Sequence, residues 1–87
     1  MIFILNGDEI TIDNPMTIEK GARDSNGNIY INFNLLNNDV YRILIPISVW
    51  NEYIDNVNNN TDIKAYNMKC LEVKKIVANK PSNVLNG

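Results

Sequence analysis

The sequence predicts an α+β fold, a small strand-rich single domain made of antiparallel hairpins and one short amphipathic helix. Three observations predict it: apolar residues alternate through the first half, Asn-Gly pairs separate these runs, and helical spacing begins after residue 46. The 87 residues have room for one domain, and 45% apolar with 21% charged residues is typical of a globular protein. We predict one compact domain over residues 1–81 and a C-terminal tail over 82–87.

The first predicted element is a hairpin. A short apolar run over 2–5 leads into Asn6-Gly7, a strong hairpin signal because both residues tolerate positive φ, and residues 10–12 alternate after it. Pro15 lacks an amide hydrogen and interrupts any strand through it. A short strand is predicted over 16–19.

The clearest strand follows a turn over residues 24–28. One face of this strand is apolar and the other is polar apart from one tyrosine, with Ile29, Ile31, Phe33 and Leu35 against Tyr30, Asn32 and Asn34. A third turn over 37–39 leads to a partner strand over 40–45. Both faces of that partner carry apolar residues, so we predict that it is central in its sheet.

After Pro46 the apolar residues follow a helical period, and a helix is predicted over 48–57. Its apolar stripe is Ile47, Trp50, Ile54 and Val57. Ser48 is the predicted N-cap, and Glu52 is predicted in the first turn, where a negative charge suits the helix dipole. The stripe places Trp50 in the core, whereas Tyr53 flanks the stripe and is expected to be half exposed.

Residues 62–79 allow two interpretations. Ile63, Tyr66, Cys70, Val73 and Val77 are spaced as a helical stripe, whereas the β-branched residues favour strands. We favour two strands, with Asn67 available for the turn between them. Three strands, a helix and two strands is also the order of an OB-type barrel, if the first hairpin is treated as an addition.

The residue types present argue against an enzyme. There is no His, and Cys70 is the single cysteine, so a nucleophile with a histidine base, a histidine metal site and an internal disulfide are excluded. The loop that begins at Asp24 resembles the start of a calcium loop, but Ile29 and Leu35 stand where such a loop needs Gly and Glu. The four Gly residues form no phosphate-binding motif. We expect no catalytic, metal or cofactor site.

Composition also suggests a setting. No signal peptide or apolar span is recognisable, so we expect a cytoplasmic protein with a free Cys70 thiol and no membrane association. Asn and Ile, at 17 and 13 residues, are the commonest types. Both are encoded by AT-rich codons, which suggests an AT-rich bacterium, one of its phages or a mobile element.

Charge and the polar strand face lead to a hypothesis of protein binding. The net charge is −2, but residues 1–61 carry −5 and residues 62–87 carry +3. We predict a small binding factor, of the kind that phages or mobile elements use to modulate a larger host protein, acting through a sheet edge or its acidic half. The candidate contact residues are Tyr30, Asn32, Asn34, Arg42 and Tyr53.

Two alternatives remain. A small nucleic-acid-binding domain of OB-like order would stack bases on an aromatic side chain and bind phosphates with cations, using Tyr30, Arg42, Lys64, Lys69, Lys74 and Lys75. A structural subunit of a larger assembly, such as a virion, is the third hypothesis, and it predicts a homo-oligomer.

Overall fold

The computed structural model describes residues 1–7 and 9–78, which form seven strands and one helix. In chain order they are β1 (Ile2–Leu5), β2 (Ile10–Asp13), β3 (Thr17–Arg23), β4 (Asn28–Asn34), β5 (Val40–Pro46), α1 (Ile47–Asn59), β6 (Ala65–Met68) and β7 (Glu72–Ile76). The predicted strand-rich α+β class is confirmed. The predicted tail over 82–87, and the end of the predicted domain at 81, lie outside the described residues.

The strands form two sheets. One has the order β2-β1-β6, in which β1 pairs antiparallel with β2 and parallel with β6. The other is antiparallel throughout, with the order β3-β4-β5-β7. As predicted, β5 is central. The order of an OB-type barrel is present from β3 onward, but β6 joins β1 in the other sheet, so among the described residues these five strands do not share one sheet.

One hydrophobic core lies between the sheets. Phe3 of β1 meets Phe33 of β4 with their ring centroids 4.9 Å apart, which joins the two inner faces. The buried members of the core are Phe3, Leu5, Ile12, Ile29, Ile31, Phe33, Ile43, Ile45, Tyr53 and Met68. Each such side chain stabilises the fold by about 1.5–3 kcal/mol through burial. The apolar side chains that alternate along β4 are therefore the ones that face this core.

The turns follow their sequence signals. Asn6 and Gly7 both adopt positive φ, at 50° and 64°, and Gly27 does so at 80°. Asp24 holds the second turn, because its carboxylate accepts hydrogen bonds from the backbone amides of Asn26 and Asn28 at 2.8 and 2.9 Å. The bonds from Asn28, donated by its backbone amide and by its side-chain amide, favour the charged carboxylate most and lower the pKa of Asp24, and the Asn26 amide adds a smaller effect. This loop is thus a hairpin turn.

Strand β3 is longer than predicted. It covers Thr17–Arg23 instead of residues 16–19, and its pairing with β4 shifts register between Lys20 and Arg23. Pairing with a seven-residue neighbour extends this exposed strand beyond its own short apolar pattern. Gly21 lies within the irregular stretch, where an added Cβ would come 3.1 Å from the carbonyl oxygen of Tyr30.

Helix α1 begins earlier than predicted, and the predicted cap is wrong. The N-cap position is Pro46, no side chain caps the helix, and neither Ser48 as cap nor Glu52 as a first-turn acid is observed. The reason is tertiary: β5 runs directly into the helix, and the Ile47 amide donates to the Gly27 carbonyl at 3.0 Å. That bond fixes the start of the helix one residue before Ser48.

The expected roles of two aromatic residues are reversed. Tyr53, predicted to be half exposed, is 7% exposed and packs edge-on against Phe3 and Tyr66, with centroids 5.7 and 5.0 Å away. Trp50 is only partly buried and packs on the rim of the core. The apolar arc of the helix is wider than the predicted stripe because it includes Val49 and Tyr53.

Residues 62–79 contain two strands, as favoured. They belong to different sheets and do not pair with each other, and Asn67 lies within β6 instead of in a turn. The crossing between them is held by distant partners: the Cys70 amide donates to the Asn6 side chain at 2.7 Å, and the Leu71 amide donates to the Leu44 carbonyl at 2.8 Å. No helix in the described part of the chain is long and apolar enough to cross a membrane.

Candidate partner-binding surface

The four-stranded sheet carries most of the predicted contact residues on one side. Inward side chains of β4 are buried in the core, so the alternating Tyr30, Asn32 and Asn34 face the other way. Arg42 of β5 pairs with Asn32 and shares that side. We call this side of the sheet the outer face. Four residues predicted from sequence alone therefore lie on a single surface.

Hydrogen bonds between neighbouring strands order the polar part of the outer face. The Arg42 Nε–H donates to the Asn32 side-chain oxygen at 3.0 Å. The Asn34 amide donates to the Thr17 hydroxyl and to the Glu19 carboxylate, both at 2.9 Å. These side chains are fixed before any partner arrives, which lowers the conformational entropy lost on binding.

Strand β7 completes the outer face with Lys74, which the sequence named only for the nucleic-acid alternative, and with Glu72 and Ile76, which the sequence did not indicate. Register puts Ile76 opposite Val40, Lys74 opposite Arg42 and Glu72 opposite Leu44. The surface along β5 and β7 therefore has an apolar row, a basic row and a mixed row. No local signal identifies this pairing, because the two strands are separated by the helix and by β6.

A small pocket opens in the outer face. Its volume is about 180 Å³, and its lining includes Tyr30, Arg42, Leu44, Glu72 and Lys74. Typical small-molecule sites are about 300–1,000 Å³, so this pocket is suited to one side chain from a partner. Leu44 forms an apolar part of the lining and is only 7% exposed.

The fifth predicted contact residue is not on this surface. Burial of Tyr53 in the core leaves a partner almost no area to contact, and it raises the pKa of the phenol. Tyr53 instead joins the helix to the three-stranded sheet through the rings of Phe3 and Tyr66.

The lysines of the nucleic-acid hypothesis are dispersed. Only Lys74 shares the outer face with Tyr30 and Arg42. Lys64 and Lys69 lie at the two ends of β6 in the other sheet. Lys75 does not share the outer face: its Nζ lies 5.5 Å from the centre of the Tyr41 ring and 3.9 Å from the Asp39 carboxylate.

Cys70 lines an open groove of about 770 Å³ between the turn that follows β1 and the end of β6. Other residues that line this groove are Asn6, Gly7, Glu9 and Lys69. Its thiol is half-buried, and that burial raises its pKa to about 11. The thiol is therefore protonated at neutral pH, and its nucleophilic reactivity is low. Among the residues that the structure describes, no group of three or more His, Cys, Asp or Glu side chains is placed to hold a metal ion.

Comparison with known proteins found no matching family model, no matching curated protein and no matching solved structure.

Proposed function

We propose that this protein is a small non-enzymatic binding factor that docks a larger protein on the outer face of its four-stranded sheet. The observation that carries the proposal is the meeting of Tyr30, Asn32, Asn34 and Arg42 on one hydrogen-bonded surface. Tyr and Arg are the residue types most often found as energetic anchors of protein interfaces. The abundance of Asn and Ile, both of which are encoded by AT-rich codons, suggests the setting, a phage or mobile-element accessory protein that modulates a host protein in the cytoplasm.

Two features support protein binding over enzymatic chemistry. The chain has no His, and its single thiol is held in the protonated form by a raised pKa. The pocket on the outer face has room for one side chain of a partner, which is an interface feature.

Charge favours a protein partner over nucleic acid. The outer face combines Arg42 and Lys74 with Glu19 and Glu72, so its formal charge balances. A nucleic-acid surface instead needs a continuous run of cations along the phosphate backbone. The remaining lysines of that alternative lie on other parts of the described structure.

Photocross-linking tests the proposal. The photoreactive residue benzoylphenylalanine replaces Tyr30, and in a matched control it replaces Asn67 on the outward side of β6. Each protein is irradiated in cytosolic lysate with and without nuclease. We expect a nuclease-resistant adduct with one larger protein from position 30 and none from position 67.

Three other results would reject the proposal. Equal adducts from both positions would show that the outer face has no special role. Adducts that disappear after nuclease would favour the nucleic-acid alternative. An adduct with the mass of two 9.9 kDa chains would favour the structural-subunit alternative.

A further inference from the structure

Arg42 of β5 and Lys74 of the edge strand β7 lie side by side on the outer face, and neither has an ion-pair partner among the residues that the structure describes. Arg42 and Lys74 are direct cross-strand neighbours, and like charges in that arrangement are destabilising. The one ion pair within 4.0 Å among the described residues joins Lys75 and Asp39 instead. Of the carboxylates on this face, Glu19 accepts from Asn34. Glu72 lies one row away from the two cations. A ligand carboxylate between them would offset one of the two positive charges and reduce their repulsion.

The rows on either side of the cations are partly apolar. Val40 and Ile76 form one row. Tyr30, Leu44 and Glu72 form the other, and because Leu44 is buried, the apolar surface that a partner can reach there is the ring of Tyr30, which lines the pocket. Neighbouring rows are two residues apart along β5, or about 6.5–7 Å. A carboxylate between the cations would therefore have apolar contacts available at that distance on both sides.

We infer that this surface recognises a protein segment in which one Glu or Asp side chain is flanked by two apolar side chains. The inference rests on the proposed function and names the chemistry of its partner. The carboxylate would lie between Arg42 and Lys74, where charge-assisted hydrogen bonds are short and strong. Because Asn32 holds the Nε of Arg42, the terminal guanidinium nitrogens stay available to the ligand.

The same geometry selects an acidic protein segment over a nucleic acid. One carboxylate fits between the two cations, but a chain of phosphates would extend past Glu19 and Glu72 on the same face. Apolar flanking contacts at Val40 and at the Tyr30 ring also suit aliphatic side chains.

Defined peptides test the inference. The probe is the acetylated and amidated peptide Val-Thr-Glu-Thr-Leu, whose alternate side chains share one face when it is extended. Its control has Gln in place of Glu. Binding is followed by ¹H–¹⁵N NMR at the Arg42 Nε–H and at the Val40 and Leu44 amides. We expect the Glu peptide to bind at least about tenfold more tightly than the Gln peptide, with shifts confined to β4, β5 and β7.

Variants assign that preference to the two cations. Arg42→Gln with Lys74→Gln is expected to remove the tenfold preference, whereas Lys64→Gln with Lys69→Gln is expected to keep it. The single Lys74→Gln change leaves the bond between Arg42 and Asn32 in place, so a lost preference there is not caused by disturbing the sheet.

Several results would overturn the inference. They are equal binding of the two peptides, no binding of either, a preference that survives the Arg42 and Lys74 double change, or tighter binding of a ten-residue oligothymidylate at the same signals. If any of these occurs while the Tyr30 cross-link still forms, recognition of an acidic side chain by Arg42 and Lys74 is wrong, but the outer face remains the docking surface. Loss of the Tyr30-specific cross-link would instead reject the proposed function.

Discussion

Replacing Tyr53 by Ala tests the reversal of aromatic roles on the helix. Tyr53 is 7% exposed and contacts three aromatic rings, those of Phe3, Trp50 and Tyr66, with centroids 5.0–5.7 Å away. Trp50 lies on the rim and is only partly buried. The smaller of the two side chains is therefore expected to contribute more to the stability of the fold.

The magnitude follows from burial. Truncating a fully buried large aromatic residue to Ala costs about 3–5 kcal/mol, and aromatic pairs add about 0.5–1.5 kcal/mol each beyond area burial. We expect Tyr53→Ala to fall within that range of 3–5 kcal/mol. Trp50→Ala should cost about half as much, roughly 1.5–2.5 kcal/mol, because part of its ring is already in water. An 87-residue domain has a total stability of only about 4–13 kcal/mol, so Tyr53→Ala removes a large share.

Urea unfolding followed by circular dichroism measures both values. The slope of the transition should stay unchanged, which shows that the difference lies in stability and not in the surface exposed. Tyr53→Phe is the matched control, and it should cost less than about 1 kcal/mol because the ring is kept. A larger cost for Trp50→Ala than for Tyr53→Ala would refute the placement of these two side chains.

Three further predictions concern Cys70, Lys74 and Lys75. With its pKa raised to about 11, the thiol should react with a disulfide reagent at pH 8 roughly a hundredfold more slowly than an unburied cysteine, and reaction should accelerate up to about pH 11. A rate plateau below pH 9 would contradict this. Lys74→Glu should stabilise the fold by about 0.2–1 kcal/mol in urea melts, because it places a negative charge opposite Arg42. Lys75→Gln should destabilise the fold by a similar amount, because it removes the contacts with Asp39 and Tyr41. Destabilisation by Lys74→Glu would show that the two cations do not repel.

The sign expected for Lys74→Glu links stability to the proposed function. The native lysine opposes Arg42 at some cost to the sheet, and the change that stabilises the free protein should also weaken binding of an acidic segment. Natural proteins commonly carry such locally unfavourable residues at functional sites.

The candidate surface was only half predictable from sequence. The alternation of β4 identifies Tyr30, Asn32 and Asn34 as one polar face, since strand periodicity is a local property. The contribution of Lys74 and Glu72 depends on β7 pairing with β5. Local composition does not predict that pairing, because the residues of β5 and β7 would also allow each strand to pair with other strands of the protein.

The helix shows how tertiary contacts override local signals. Ser48 is a good N-cap in isolation, yet the hydrogen bond from Ile47 to Gly27 fixes the start of the helix before Ser48. Helical spacing correctly identified an amphipathic element but not the centre of its buried side. That centre depends on how the helix lies against Phe3 and Tyr66.

By itself, the sequence determined the class of the fold, the turns at Asn6 and Gly27, the central position of β5 and the inward side of β4. These follow from backbone conformational preference and from the two-residue period of strands, which act over a few residues. Only the tertiary structure decided the parallel pairing of β6 with β1, the separation of β6 from β7 and the meeting of Arg42 with Lys74. Those pairings depend on which apolar faces, far apart in the chain, bury each other in the folded protein. Patterns that extend over a few residues do not specify this.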